Sequence, residues 1–251
     1  MRLDRYLSEN GCGTRSEIKK ELKKGAAAVN GSVVRDGSAQ VPEGARVTWH
    51  GEEIAGDPLV YYMLHKPAGV ITATRDPKQR TVMDLLPERR RKDLYPVGRL
   101  DRDTEGLLLI TNDGPLGHRL LAPGKHVDKT YEALVRGTVT DREVARFREG
   151  IDIDDADGAF TALPAELEIL GTEPGGGEDG ALTRVRVTIR EGKYHQVKRM
   201  FAAAGAEVVY LKRLSMGPLR LDPALAPGEC RRLTEEEAAA LTEGLQGNEE
   251  V

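Results

Sequence analysis

Three carboxylates (Asp101, Asp103 and Glu105) and two guanidinium groups (Arg99 and Arg102) stand between two glycines in the segment Gly98-Arg-Leu-Asp-Arg-Asp-Thr-Glu-Gly106. An ionised carboxylate can serve as a nucleophile, and a nearby cation keeps it ionised in a partly enclosed site. The next residues, Leu107 to Thr111, form an apolar run that ends at Asn112-Asp113-Gly114. That pattern predicts a buried strand followed by a tight turn. A loop tied to a buried strand is a rigid mount for a reactive group. On composition alone, a solvated charged turn is the better reading of the same residues.

Two further segments carry chemically capable groups. Lys129-Thr-Tyr-Glu132 leads into the strand-like Ala133-Leu-Val-Arg136, and Glu191-Gly-Lys-Tyr-His-Gln-Val-Lys-Arg-Met-Phe-Ala202 follows a predicted strand, Thr183 to Arg190. They add a phenol at Tyr131, an ammonium at Lys198 and a guanidinium at Arg199. His65 and His195 have no carboxylate at a spacing that would orient them. Both are read as strand-end histidines that contact backbone or a ligand.

A chain of 251 residues has room for one large domain or two modest ones. Hydrophobic content of 39% supports a core, and 31% charged residues argue for a soluble, cytoplasmic protein. No apolar run approaches the roughly 18 residues of a membrane span, and the N-terminal residues lack the apolar stretch of a secretory signal. Cys12 and Cys230 belong to no metal-binding cluster and read as free thiols. The net charge of −4 is unevenly placed: residues 1–51, 66–136 and 182–220 carry +3, +4 and +7, whereas 137–181 carries −9 and 221–251 carries −6. Salt screens charges beyond about 8–10 Å, so a polyanion responds to the local patches and not to the total.

The elements that must position these groups fall into two parts. In residues 1–51, Leu3, Tyr6 and Leu7 have helical spacing, ended by Gly11-Cys-Gly13. Thr14 and Glu17 form a capping-box pattern before a helix that turns Ile18 and Leu22 inward and stops at Gly25. Its other faces carry Lys19, Lys20, Lys23 and Lys24. Ala28 to Val34 reads as a hairpin about Asn30-Gly31, and Val41 to Thr48 closes the unit. Residues 52–58 read as a linker. From residue 59 onward strands dominate, among them Tyr61–Leu64, Val70–Thr74 and Val208–Leu211, with helices at Asp141–Glu149 and Val197–Ala204. Glu173 to Gly180 reads as a surface loop. The whole is α+β.

Gly98-Arg-Leu-Asp101, Lys129-Thr-Tyr131 and Tyr194-His-Gln-Val-Lys-Arg-Met-Phe201, in that order, resemble the signature of the pseudouridine synthases. Leu225-Ala-Pro-Gly228 and Leu233-Thr-Glu-Glu-Glu237 add likeness to the branch acting on small-subunit 16S rRNA. The first fifty residues resemble an S4 RNA-binding module. The resemblance implies a mostly antiparallel catalytic sheet with peripheral helices and the cleft across its middle. It implies Asp101 as nucleophile, with attack at C6 or at C1′ left open. Lys198 is the implied cationic partner of Asp101, with Arg199 as the alternative. Tyr131 would stack on the target uracil, with Leu211 on the base's other side, while Arg99 would fill the gap left by the extruded nucleotide. Lys19, Lys20 and Lys23 would contact RNA. No ATP, nicotinamide or metal is implied.

The expected partner is rRNA or a small-subunit assembly intermediate, met by a monomer, with no membrane. Two other readings stand beside this one: an S4-containing ribosome-associated protein without catalysis, and a large-subunit rRNA enzyme of the same family. A glycosidase using Asp101 and Asp103 is disfavoured, because carboxylates two residues apart in one loop seldom hold the separation that chemistry needs.

Overall fold

The computed structural model of the chain describes residues 1–10, 12–42, 44–54, 59–87, 93–137, 139–173 and 182–243. Contacts divide it into two units that meet in sequence between Leu59 and Val60.

The first unit contains α1 (Leu3–Glu9), α2 (Arg15–Lys23), β1 (Ala27–Val29), β2 (Ser32–Val34), β3 (Val47–Trp49) and β4 (Glu52–Ile54). The Thr14–Glu17 capping box forms in full, and Leu3, Leu7, Ile18 and Leu22 bury together with Ala27 and Val47. Asn30 and Gly31 both take positive φ, as a type I′ hairpin turn requires. The sheet order is β2-β1-β3-β4, all antiparallel. The Val41–Thr48 segment contributes the start of β3. The linker expectation needs correction, since residues 52–54 form β4, which pairs with β3 from Glu52 to Ile54. Trp49-His50-Gly51 supplies the turn that sequence reading passed over, with positive φ at His50 and Gly51. The rest of the linker segment (55–58) lies outside the described residues, as does Gly11.

The second unit is built on one sheet. In chain order its elements are β5 (Tyr61–Lys66), β6 (Tyr95–Pro96), β7 (Glu105–Thr111), α3 (Gly114–Leu121), β8 (Lys129–Arg136), α4 (Asp141–Glu149), β9 (Asp152–Asp155), β10 (Gly158–Thr161), β11 (Glu166–Glu173), β12 (Leu182–Ile189), α5 (Gln196–Ala203), β13 (Glu207–Met216), β14 (Leu219–Arg220), β15 (Cys230–Arg232) and α6 (Glu235–Glu243). β9 and β10 form a separate hairpin. The remaining strands run in the order β11-β12-β8-β13-β7-β5-β15, with β14 beside β13 and β6 beside β7. The α+β class with a mostly antiparallel sheet is as expected.

Period-two alternation explains the layers. Along β7, Leu108 and Ile110 enter one apolar cluster while Leu107 and Leu109 enter the other, so the run is apolar throughout because both faces are covered. Along β8 the odd positions Lys129, Tyr131, Ala133 and Val135 are buried and the even ones are half-exposed. The turn expected at Asn112-Asp113-Gly114 is instead a helix start: the Asp113 carboxylate accepts from Leu116 N at 2.9 Å and caps α3. Gly114, Pro115 and Gly117 hid this helix from a pattern search. Val70–Thr74 is not a strand; Ile71 makes only an isolated bridge to Thr81. Within the expected Glu173–Gly180 loop, Glu173 ends β11 and the rest lies outside the described residues.

One pairing in this sheet is unlike the others. β13 and β7 run parallel and share only two registered positions, Lys212 with Glu105 and Arg213 with Gly106. Gly106 has φ +106°, and a Cβ placed there would stand 2.2 Å from the Arg213 carbonyl oxygen and 2.6 Å from its nitrogen. The clash is with backbone on both sides, so no rotamer relieves it. Gly106→Ala is therefore expected to cost about 3 kcal/mol or more, the sum of overpacking and backbone strain. A urea midpoint within error of the wild type would contradict this.

Candidate active site

Loop 98–104 enters β7 at its parallel seam with β13. Gly98, Arg99, Leu100, Asp101 and Thr104 of that loop line a cleft. From the sheet come Lys129 and Tyr131 of β8, Ile189 of β12, and Leu211 and Arg213 of β13. His195, Gln196, Val197 and Lys198 close it from the start of α5. The three segments singled out in the sequence thus share one cleft.

Asp101 is half-buried, with 28% of its side chain exposed. Its Oδ2 lies 3.3 Å from the Lys198 ammonium, and its Oδ1 lies 3.4 Å from His195 Nε2. Lys198 also donates to Asp103 Oδ1 at 2.6 Å, so one ammonium serves two carboxylates. Burial opposes the charged form of Lys198, but the hydrogen bond to Asp103 and the charge of Asp101 outweigh it and raise its pKa. Burial likewise pushes Asp103 upward, and the Lys198 hydrogen bond outweighs it, holding the carboxyl below its usual range.

Tyr131 and Leu211 are buried in the cleft wall at 7% and 5% exposure. Arg99 is exposed at the rim and makes no ion pair with a described residue. Arg199 goes elsewhere. It is buried, gives a bidentate pair to Asp155 at 2.8 Å for each bond, and donates to the Gly158 carbonyl. A helix turns about 100° per residue, and the step past Lys198 carries Arg199 round to the β9–β10 hairpin, which it fastens. In the first unit, Lys19, Lys20 and Lys23 are exposed on α2 without an ion pair to a described residue, while Lys24 pairs with Glu21 at 2.7 Å.

Sequence reading missed two residues. His195 was set aside for want of a carboxylate, yet it faces Asp101 across 94 positions of chain. It takes the left-handed conformation, φ 49°, at the start of α5 and stacks on Tyr194 at 3.7 Å. The unusual φ aims the imidazole back at the loop. Gln196 steadies the turn before it, donating to Glu191 at 2.6 Å and accepting from Lys193 N at 2.9 Å. The other omission is Lys66, which is completely buried. Its ammonium donates to the carbonyls of Thr104 at 2.8 Å, Pro67 at 3.0 Å and Arg102 at 3.3 Å. Lys66 therefore holds the far side of the Asp101 loop, while Thr72 Oγ1 donates to the Leu100 carbonyl at 2.8 Å and holds the near side. His65 does contact backbone: its Nδ1 donates to the Leu225 carbonyl at 2.7 Å. Among the described residues no group of three or more His, Cys, Asp and Glu is arranged to hold a metal ion, and no helix is long and apolar enough to cross a membrane.

Comparison with known proteins matches this arrangement to one class. Residues 60–203 match the RNA pseudouridylate synthase family and residues 1–47 match the S4 domain. The chain belongs to the RNA pseudouridine synthase family. It is 48% identical over 245 residues to the uncharacterized RNA pseudouridine synthase YtzG of Bacillus subtilis (strain 168), covering 97% of this chain and 99% of that one. It is 41% identical over 242 residues to ribosomal small subunit pseudouridine synthase A of Pseudomonas aeruginosa, covering 96% of this chain and all of that one. A crystal structure of a pseudouridylate synthase superposes with a TM-score of 0.66 at 36% identity, covering 96% of this chain and 99% of that one.

The Lys66 clamp carries a pH signature. Burial pushes its ammonium down from 10.5 to about 8, against the opposing pull of Asp103, Asp101 and Glu105. The unfolded chain thus binds the extra proton between pH 8 and 10.5, so the cost of burying this charge is present below pH 8 and fades as pH rises through that window. Wild-type stability, measured as the difference from Lys66→Met, is expected to increase across it; the difference cancels Lys129, which is also pushed to about 8. Turnover of Lys66→Met is expected to fall by about 10²-fold, the cost of an ångström-scale misplacement of the loop. A flat stability difference and unchanged turnover would show that the clamp is dispensable.

Proposed function

We propose that the chain isomerises a uridine of small-subunit rRNA to pseudouridine, with Asp101 as the nucleophile. The observation that carries this reading is the placing of Asp101 between Lys198 and His195, in one cleft with Tyr131 and Leu211. The reaction breaks N1–C1′, turns the base, joins C5 to C1′, releases the C5 proton and returns one proton to N1. No electrons are gained or lost. A carboxylate adduct divides that change into smaller steps, and two flanking cationic or hydrogen-bonding groups keep the carboxylate available.

Tyr131 and Leu211, both buried in the cleft lining, wall the extruded uracil in this reading, and Tyr131 takes the C5 proton. Arg99 occupies the space the base leaves, so part of the extrusion cost of a few kcal/mol is recovered. The small-subunit target rests on the relatives' full-length similarity. Extrusion needs a backbone free to move, which favours a monomer acting on RNA still exposed in an assembly intermediate, in the cytoplasm. Lys19, Lys20 and Lys23 of the S4 unit contribute affinity through phosphates.

Two outcomes test this. Asp101→Asn should release no tritium from RNA carrying [5-³H]uridine while binding that RNA nearly as well as the wild type. Release at the wild-type rate removes Asp101 from the nucleophile role. Replacing Lys19, Lys20 and Lys23 together by Ala should flatten the slope of log Kobs against log salt by about 2, since each neutralised phosphate contributes about 0.7–0.9. An unchanged slope places the α2 lysines away from RNA.

A further inference from the structure

Two buried cations in the cleft have no part in holding Asp101. Lys129 opens β8 and is 8% exposed; Arg213, in β13, is 2% exposed. Both line the cleft beside Tyr131 and Leu211, two residues from each along the same strand face. Arg213 stands directly opposite Tyr131 in the β8–β13 register.

Neither cation has a carboxylate partner among the described residues. Lys129 donates to the Val127 carbonyl at 2.9 Å, and Arg213 Nε donates to the Leu107 carbonyl at 2.7 Å. Arg213 Nη2 is buried without a hydrogen-bond partner among the described residues. Asp128, adjacent in sequence to Lys129, pairs with Arg190 at 3.0 Å. Burial, and then the charge of Arg213, push the Lys129 ammonium down to about 8. Two like charges held in a low-dielectric wall, one with an idle donor, suit a ligand that brings negative charge with it.

The target base does so during the reaction, whichever carbon is attacked. Addition of the Asp101 carboxylate to C6 moves the C5=C6 electron pair through C4 onto O4, giving an enolate. Attack at C1′ breaks N1–C1′, and its electron pair stays on the uracil, shared between N1, O2 and O4. In both routes a carbonyl oxygen of the base becomes anionic. The charge leaves the base as C5–C1′ forms, the bond from the Asp101 carboxylate to C6 or C1′ breaks to return the free carboxylate, the C5 proton departs and N1 takes one up.

We propose that Lys129 and Arg213 form an oxyanion subsite that receives a carbonyl oxygen of the target uracil and stabilises the negative charge it gains. This rests on the reading of the chain as a uridine isomerase and adds two catalytic residues to it. Fixed donors aimed at developing charge act with little reorganisation, which is why they raise kcat more than affinity.

The test is single-turnover tritium release at saturating [5-³H]uridine RNA, with RNA affinity and thermal melting measured alongside. Lys129→Met and Arg213→Ala should each lower the rate by about 10²–10³-fold with RNA affinity nearly unchanged. Arg213→Lys should retain more activity than Arg213→Ala, and added guanidinium ion should restore part of the Arg213→Ala rate. Should Arg213→Ala fail to fold, Lys129→Met decides alone. Rates near the wild type, or losses that appear wholly as weaker RNA binding, overturn the subsite. Wild-type protein that binds RNA but releases no tritium overturns the enzymatic reading itself, and the subsite with it.

Discussion

The contact between Gly106 and the backbone of Arg213 sets the geometry of the catalytic unit. Among the described residues, antiparallel pairing accounts for every other ladder of the large sheet, and only here do two strands run in the same direction. The parallel ladder has only two registered residues, both at the start of β7. The chain enters β7 there from loop 98–104, which lines one cleft with Tyr131, Leu211 and Arg213. A side chain at 106 would push the strands apart, and the loop would lose its fixed place in that cleft.

Given that seam, the site is a problem of arranging charge in a half-enclosed space. The loop carries its carboxylates on a backbone whose carbonyls point away from them, toward Lys66. A buried ammonium satisfied by three carbonyls is costly, since burial works against its charge. It does, however, place a positive charge beneath a turn bearing Asp101 and Asp103, opposing their mutual repulsion. Lys198 does the same from above with direct contact to both. The two lysines therefore act differently, since Lys66 shapes the loop through its backbone and Lys198 addresses its side chains. A guanidinium at 198 would offer a planar fork suited to one carboxylate, whereas the ammonium divides its donors between two.

Much of this was legible in the residues. Leu107–Thr111 read as a buried strand because an unbroken apolar run needs cover on both faces, and it has it. Thr14 with Glu17 read as a helix start because the capping box is a local interaction. What could not be read was whatever depends on contacts across the chain. The pairing of His195 with Asp101 spans 94 residues and requires a left-handed turn that no composition rule assigns to histidine. Lys66 looked like any lysine after a strand, because three backbone carbonyls leave no mark in the sequence. Helix α3 was missed for the opposite reason: its glycines and proline are local signals for a turn, and the Asp113 cap with burial of Leu116 and Leu120 overrides them. Strand β4 was missed because Glu52 and Glu53 look like linker residues, yet an edge strand with one paired side tolerates such polarity.

The uneven charge of the chain follows from the same division of labour. The strongly basic segment, 182–220, supplies β12, α5 and β13, the three elements that deliver Ile189, Lys198, Leu211 and Arg213 to the cleft. The strongly acidic segment, 137–181, supplies α4 and the β9–β11 strands, where Asp155 is consumed by Arg199 and Glu168 by Arg186. Acidic groups are thus placed to neutralise arginines that serve the fold, while in the cleft Lys198 pairs with Asp101 and Asp103, Lys193 pairs with Glu191, and Arg99, Lys129 and Arg213 have no ion pair among the described residues. A polyanion approaching within a Debye length meets that local excess and not the net charge of −4. A negative total charge and a site for RNA are compatible here because the sequence separates, element by element, the charges that hold the sheet from those that face its ligand.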